Sequence, residues 1–356
     1  MVEIMSYQFK SYCLKFTLVL SFVLFCLIGK SQYNFNEIDK LLANNQKALG
    51  KNVAVLLYKD GKIIYQKEMG EDFKIKSKAR LADCSKWLTA ALVMTFVDEG
   101  KISLDEKVST YIPIFETYGK SYITLRQCLS HQTGIEDNEK TIVKLLELQR
   151  RKFESLEDQV NFLAKKFVAA KPGTTFNYGN MGLNIAGRVL EVISKKKFEV
   201  LMKQRIFTPL NMKNSTITPE DNAANPSGGA VSTAADYMNF LSMMLDKGMF
   251  MGKRILSEGT IKEMQTISTK SLPKKYVPKL TEGVEYGLGE WIEETDNNGN
   301  ALVVSAPGFN GTFPFIDKCR NYACILFVAS NTKEDNGEIY LALKKAINNQ
   351  IPATCN

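Results

Sequence analysis

Asp83 and Lys86, in the stretch "DCSK", stand three residues apart at the head of the apolar run "WLTAALVMTFV". On a helix this spacing sets both side chains on one face of the first turn. A nucleophile and a lysine so placed are the parts of an acyl-transfer site in which the amine takes the nucleophile's proton. Here the nucleophile's place holds a carboxylate. Two further stretches carry groups suited to the same chemistry. "FNYGN" puts Tyr178 and Asn180 two residues apart ahead of another helical pattern, and "SAPGFNGTFPFID", Ser305 to Asp317, reads as a late strand.

The order of these motifs resembles that of the β-lactamase-related serine hydrolases, which include class C β-lactamases, D-alanyl-D-alanine carboxypeptidases and β-lactamase-like carboxylesterases. The likeness runs from about residue 37 to residue 349, through "ITLRQCLSHQTGI", "KPGTTFNYGNMGLNIAGRVLEVIS", "IFTPLNMKNST", "GGAVSTAADYMNFLSMMLDKG" and "YGLGEW". It implies an α+β, penicillin-binding-protein-like fold: an antiparallel sheet drawn from both termini, flanked by helices, with an inserted helical lobe. It also implies that Asp83, Lys86 and Tyr178 occupy the catalytic places. Asn180, Ala306, Gly308 and Phe309 fall at substrate-binding places, with the backbone N–H of Phe309 on the facing strand helping to hold an oxyanion. The resemblance implies no cofactor. Two departures stand out. Asp83 replaces the serine, and Ala306-Pro307-Gly308 replaces Lys-Thr-Gly or His-x-Gly.

An aspartate needs no activation to attack, but attack on an ester or amide gives an intermediate from which a carboxylate departs more readily than an alkoxide or amine. Collapse then returns the starting materials. Asp83 beside Lys86 also favours the ammonium and removes the base the mechanism wants. The leading expectation is therefore a hydrolase-fold protein that has lost acyl-serine catalysis and keeps its cleft for small esters, β-lactam-like molecules or peptidoglycan-derived peptides. The alternative is an active hydrolase or transferase in which Asp83 serves as nucleophile or base with Lys86 and Tyr178. Carboxylates do attack glycosyl, epoxide, halide and phosphoryl centres.

Neighbouring residues have structural readings. Ser85 lies about 200° round the helix from Asp83 and, like Cys84, is expected in the core. His131, the only histidine, is expected to satisfy loop backbone groups, which excludes a multi-histidine metal site. Trp87, Trp291 and the methionines of "YMNFLSMML" read as packing, with Trp291 also placed to line a cleft.

The elements that must position these groups follow from periodicity. "NVAVLLYKDGKIIYQKEMG" reads as a hairpin about Asp60-Gly61. Helical patterns cover 36–49, 84–99, 124–130, 141–150, 156–169, 181–194, 198–205, 233–247, 257–266 and 338–349. "YGLGEWIEE", "ALVVSA", "GTFPFID" and "ACILFVAS" read as strands, and 270–283 as a loop edging the cleft. The sheet lobe is expected from residues 32–80 and 284–356, and the helical lobe from residues 84–280.

The N-terminus follows a different logic. Lys10 and Lys15 precede "FTLVLSFVLFCLI", and Gly29 and Ser31 supply small residues, the pattern of a secretory signal cut after Ser31. An uncleaved anchor is the alternative, disfavoured by the short apolar run. The expected location is secreted or periplasmic. Cleavage would remove three lysines and one glutamate, taking the net charge from +8 to +6. The surplus is spread through mixed-sign runs, so no nucleic-acid groove is indicated. Cys84, Cys128, Cys319, Cys324 and Cys355 match no zinc spacing, and an exported chain could link Cys319 to Cys355.

Overall fold

The computed structural model describes residues 33–135, 153–217, 219–220, 223–329 and 336–355. The expected signal segment and the expected helix at 141–150 lie outside these residues. Helix α1 (Asn36–Asn45) leads into strands β1 (Val53–Lys59) and β2 (Lys62–Met69). Asp60 and Gly61 between them have φ of 48° and 82°, the left-handed pair that a two-residue hairpin turn requires. The helical part follows: α2 (Ser85–Asp98), α3 (Leu125–Leu129), α4 (Leu156–Ala164), the short strand β3 (Phe176–Asn177), α5 (Met181–Ser194), α6 (Phe198–Met202), α7 (Ala234–Leu245) and α8 (Glu258–Met264). Strand β4 (Lys274–Tyr276) then runs parallel to β3. The chain closes through β5 (Glu285–Tyr286), β6 (Trp291–Thr295), β7 (Ala301–Ser305), β8 (Phe313–Asp317), β9 (Tyr322–Val328) and helix α9 (Gly337–Asn348).

Seven of these strands form one antiparallel sheet in the order β5-β6-β7-β8-β9-β1-β2, so both ends of the chain build it. Its central strands are buried on both faces, which is why they read as unbroken apolar runs. Val53, Val55, Leu57, Cys324 and Leu326 face Leu42 of α1 and Leu343 and Ile347 of α9. Ala54, Leu56, Ala323, Ile325 and Phe327 face the helical part, where α7 packs on β9 and β1. Each large side chain so covered contributes about 1.5–3 kcal/mol.

Helix α2 is enclosed on every side, with all residues from Ser85 to Phe96 buried. Such a helix is apolar around its whole circumference, and a charge on it needs partners. Lys86 is that charge.

Two expectations change. The 270–283 segment contains β4, because its partner β3 is far away in sequence and local pattern cannot reveal the pairing. The Ser305–Asp317 stretch is the end of β7, a turn and then β8. Pro307 has no N–H to continue a ladder, so the strand stops just before it. A disulfide joins Cys319, in the turn before β9, to Cys355, with Cα atoms 5.0 Å apart.

Candidate active site

Asp83 is delivered by a strained turn. Ala79–Arg80 pairs with Ala230–Ser232, and Leu81 N–H donates to Ala230 O at 2.8 Å. Ala82 then adopts φ 47°, a left-handed conformation that costs a non-glycine residue about 1–2 kcal/mol. A single 3₁₀ turn, Ala82–Cys84, runs directly into α2. The tight bend lifts Asp83 to the helix entrance, its side chain 25% exposed. The residues beside it are structural, as their spacing suggested. Ser85 Oγ accepts from Ala230 N–H at 3.1 Å, and Cys84 is wholly buried with Sγ 3.7 Å from Thr312 O.

Lys86 is 1% exposed and fully committed. Its Nζ donates to Asp83 Oδ1, to Asn180 Oδ1 at 3.0 Å and to the carbonyl of Ser227 at 3.3 Å. It also lies 5.0 Å from the centroid of the Tyr178 ring, within cation–π range. An ammonium has three N–H bonds, and three acceptors take them. No lone pair remains to receive a proton. The structure thus brings Asp83, Lys86, Tyr178 and Asn180 together from the start of α2 and the start of α5.

Tyr178 sits in an aromatic wall with Tyr286 and Trp291, ring centroids 5.9 and 5.2 Å away. Burial first, and then the negative charge of Asp83, hold the Tyr178 phenol well above its ordinary value. It is a neutral hydroxyl that can donate a proton but not accept one as phenolate. His131, at φ 57°, props this wall. Gly179 N–H donates to its Nδ1 at 3.4 Å, so the ring proton sits on Nε2, 3.1 Å from Tyr286 Oη. Burial first, and then the charge of Lys86, push His131 well below the usual histidine range, keeping it neutral.

The third motif closes the site from the sheet side. A Cβ built on Gly308 would lie 2.7 Å from Leu81 O and 3.0 Å from Cys84 Sγ, so this glycine lets the turn seat directly on the Asp83 segment. The Asn310 amide donates to Arg80 O, adding a second brace. Ala306 is 4% exposed and brings no charge. Phe309, expected on a strand, stands in the turn with 83% of its surface exposed.

Several contributors carry no signal in their own residue type. Ser227 enters through its backbone carbonyl, in a bend held by Asn184 Oδ1 on Ser227 N–H at 3.1 Å and by Thr89 Oγ1 on Pro226 O at 2.6 Å. Tyr286 was visible as part of "YGLGEW", but its partnership with His131 spans 155 residues. Glu290 lies fully buried beneath the wall, 3.5 Å from Gln265, which in turn accepts from Lys318 at 2.6 Å. The Trp87 indole N–H faces this carboxylate, although neither it nor Glu290 Oε1 makes a hydrogen bond of ordinary geometry among the described residues. Burial pushes the Glu290 carboxyl up to about 8 against the opposing charge of Lys318. Among the described residues no three His, Cys, Asp or Glu side chains converge to hold a metal ion.

The fold that carries this arrangement has counterparts among solved structures. A solved structure titled a putative beta-lactamase from Bacteroides dorei is 27% identical, superposes with a TM-score of 0.78, and matches 89% of this chain and 99% of its own. A structure titled a family VIII carboxylesterase shares the fold at 18% identity, with a TM-score of 0.70 over 91% of this chain and 99% of its own. "Beta-lactamase-like protein 4" of Dictyostelium discoideum is 28% identical over 86% of this chain and 61% of its own length. The chain spans 61%, 48% and 38% of three such curated relatives. The beta-lactamase family profile matches residues 39–347, from α1 to the end of α9. With sheet, helices and all three motif positions inside that match, this chain belongs to the beta-lactamase family.

Proposed function

We propose that this protein is an exported beta-lactamase-family member that does not carry out acyl-serine turnover and uses its cleft to bind acyl-bearing small molecules. One observation carries the reading. At the nucleophile's position stands a carboxylate, and the neighbouring lysine has spent all three protons on Asp83, Asn180 and Ser227. The site therefore lacks an alcohol that can keep an acyl group and an amine that can activate one. A neutral Tyr178, the aromatic wall of Tyr286 and Trp291, and the Gly308 turn seated against the helix entrance support retention of a binding surface around this position. Export is supported by the signal-like first 31 residues and by the Cys319–Cys355 disulfide, a bond that persists in oxidising compartments.

The test compares wild type, Asp83→Ser and Asp83→Ala on p-nitrophenyl esters and β-lactams. Wild type and Asp83→Ala should be equally idle, and Asp83→Ser should gain esterase activity. Turnover by wild type that vanishes in a folded Asp83→Ala would replace this reading with one in which Asp83 itself is the nucleophile or base.

A further inference from the structure

We propose that a slot between helix α7 and the edge of the sheet, away from the Asp83 turn, binds a free anionic amphiphile with one straight alkyl chain of about twelve carbons, a medium-chain fatty acid in class. The slot is a second site, independent of the reading given for the cleft.

Three walls enclose the slot. Ala235, Met238, Asn239, Ser242 and Asp246 line it from α7, recurring at helical spacing along one side. Tyr237 lies about 200° round the helix from Ala235. Its hydroxyl donates to Cys84 O at 3.0 Å, so the slot and the Asp83 turn face opposite sides of α7. The sheet supplies Leu56 and Tyr58 of β1 with their register partners Gln66 and Ile63 of β2. A register shift at Leu57/Tyr58 passes over Ile64 and so brings Ile63 and Gln66 to one face. The hairpin of Met249–Phe250 and Lys253–Arg254 closes the third side with Met249, Phe250 and Met251. Met251 stands at the hairpin tip with φ 47° and is 81% exposed, where such a turn ordinarily takes Asn, Asp or Gly. An apolar side chain held there at a conformational cost serves the cavity rather than the turn.

Shape and charge select the occupant. The slot holds about 440 Å³, and Ala235 and Asp246 stand about 16 Å apart along the helix. Over that length the volume gives a mean section of about 27 Å², against about 48 Å² for an extended peptide at strand and sheet spacings of about 4.8 and 10 Å. A peptide strand is too thick, and a single alkyl chain fits. With C–C bonds of about 1.52 Å such a chain advances about 1.3 Å per carbon, so about twelve carbons fill the slot. The polar groups along it bond to the protein itself: Asn239 Nδ2 donates to Leu210 O at 3.0 Å and Ser242 Oγ to Asn239 O at 2.9 Å. Lys62 and Asp246 both line the slot and offset each other. The Ala235 end differs. Ile75 lines it there, its carbonyl accepting from Ala235 N–H at 3.0 Å. Glu71 and Asp72 come before Phe73, whose buried ring stacks on Phe327, and from Phe73 onward the exposed charges are Lys74, Lys76, Lys78 and Arg80, all cations. Glu68 accepts from Ile75 N–H at 2.9 Å and lies 3.8 Å from Lys74, while Lys76 makes no ion pair among the described residues. An anionic head is the complement of that end.

Isothermal titration calorimetry on the full chain with dodecanoate, hexanoate and dodecyltrimethylammonium, each below its micelle concentration, tests this. Dodecanoate should bind at least about thirtyfold more tightly than hexanoate, because six more methylenes leave water. It should bind about fivefold more tightly than the cationic amphiphile, and Lys76→Glu should erase that preference. Met251→Asp and Ile63→Asp, both at exposed positions, should each weaken dodecanoate at least about fivefold with thermal melting unchanged. Ser242→Phe, which fills the middle of the slot, should abolish binding. Equal affinity for dodecanoate and hexanoate, a tighter hold on the cationic amphiphile, or no binding of dodecanoate would overturn the proposal. So would undiminished affinity in both Met251→Asp and Ile63→Asp, which would seat the chain elsewhere. Binding of phosphatidylglycerol vesicles without binding of dodecanoate would overturn it too, giving this face to a membrane surface.

Discussion

Removing the carboxylate at position 83 leaves an ammonium stranded inside the protein, and the cost can be worked from the geometry. Lys86 is 1% exposed and Asp83 25% exposed. After Asp83→Ala, Nζ keeps two neutral acceptors, Asn180 Oδ1 at 3.0 Å and Ser227 O at 3.3 Å, and loses its counter-charge. A unit-charge pair at about 4 Å in a medium of effective dielectric about 20 is worth ~4 kcal/mol. Deleting one partner of a buried pair costs about 3–5 kcal/mol. Asp83 retains some solvent, so the low end applies, and the expected loss is about 3 kcal/mol. For a chain of this size, with an unfolding entropy of about 0.7 kcal/mol/K, that lowers Tm by about 4 °C. Urea denaturation is the assay, with a fall in the midpoint at unchanged slope. The control is Lys86→Met in the Asp83→Ala background, which should return much of the loss because no buried charge then remains unpaired. Asp83→Ala within about 0.5 kcal/mol of wild type would refute the description of Lys86 as a buried ammonium dependent on Asp83.

Two further predictions concern groups away from the cleft centre. Glu290, pushed up to about 8 by burial, binds a proton in the folded chain across a range where the unfolded chain has released it. Its contribution is therefore fully present below about pH 4.5 and lost as pH rises through 8. Wild type should lose several kcal/mol relative to Glu290→Gln between pH 5 and pH 8.5 in urea titrations, and parallel curves for the two proteins would contradict this. The Cys319–Cys355 bond closes a loop with a sequence separation of 36. Its removal by Cys319→Ser with Cys355→Ser should cost about 3–4 kcal/mol in urea denaturation, and an unchanged midpoint would show that the bond constrains nothing.

Much of the scaffold was legible because its elements are locally consistent. The 181–194 helix begins and ends where its apolar period does, and the Asp60-Gly61 turn names its own hairpin. The pairing of Asp83 with Lys86 followed from helical spacing alone. What local pattern could not show was set by distant backbone. Ser227, which completes the lysine's coordination, contributes a carbonyl that every residue has, 141 positions away. Strand β4 escaped notice because a three-residue parallel pairing leaves no period. Phe309 was expected on a strand from the motif it replaces, and Pro307 two residues earlier is the feature that argues against it. Glu290 sat in plain view in "YGLGEW", but a glutamate's burial depends on what packs over it, here Trp87, Gln265 and Lys318.

The claim on which the account stands is that residue 83 cannot retain an acyl group. Intact-mass analysis after exposure to a fluorophosphonate and to a β-lactam measures this directly. Wild type should keep its unmodified mass, and Asp83→Ser should gain one probe mass located on residue 83. Rapid stoichiometric labelling of the wild-type chain would contradict it.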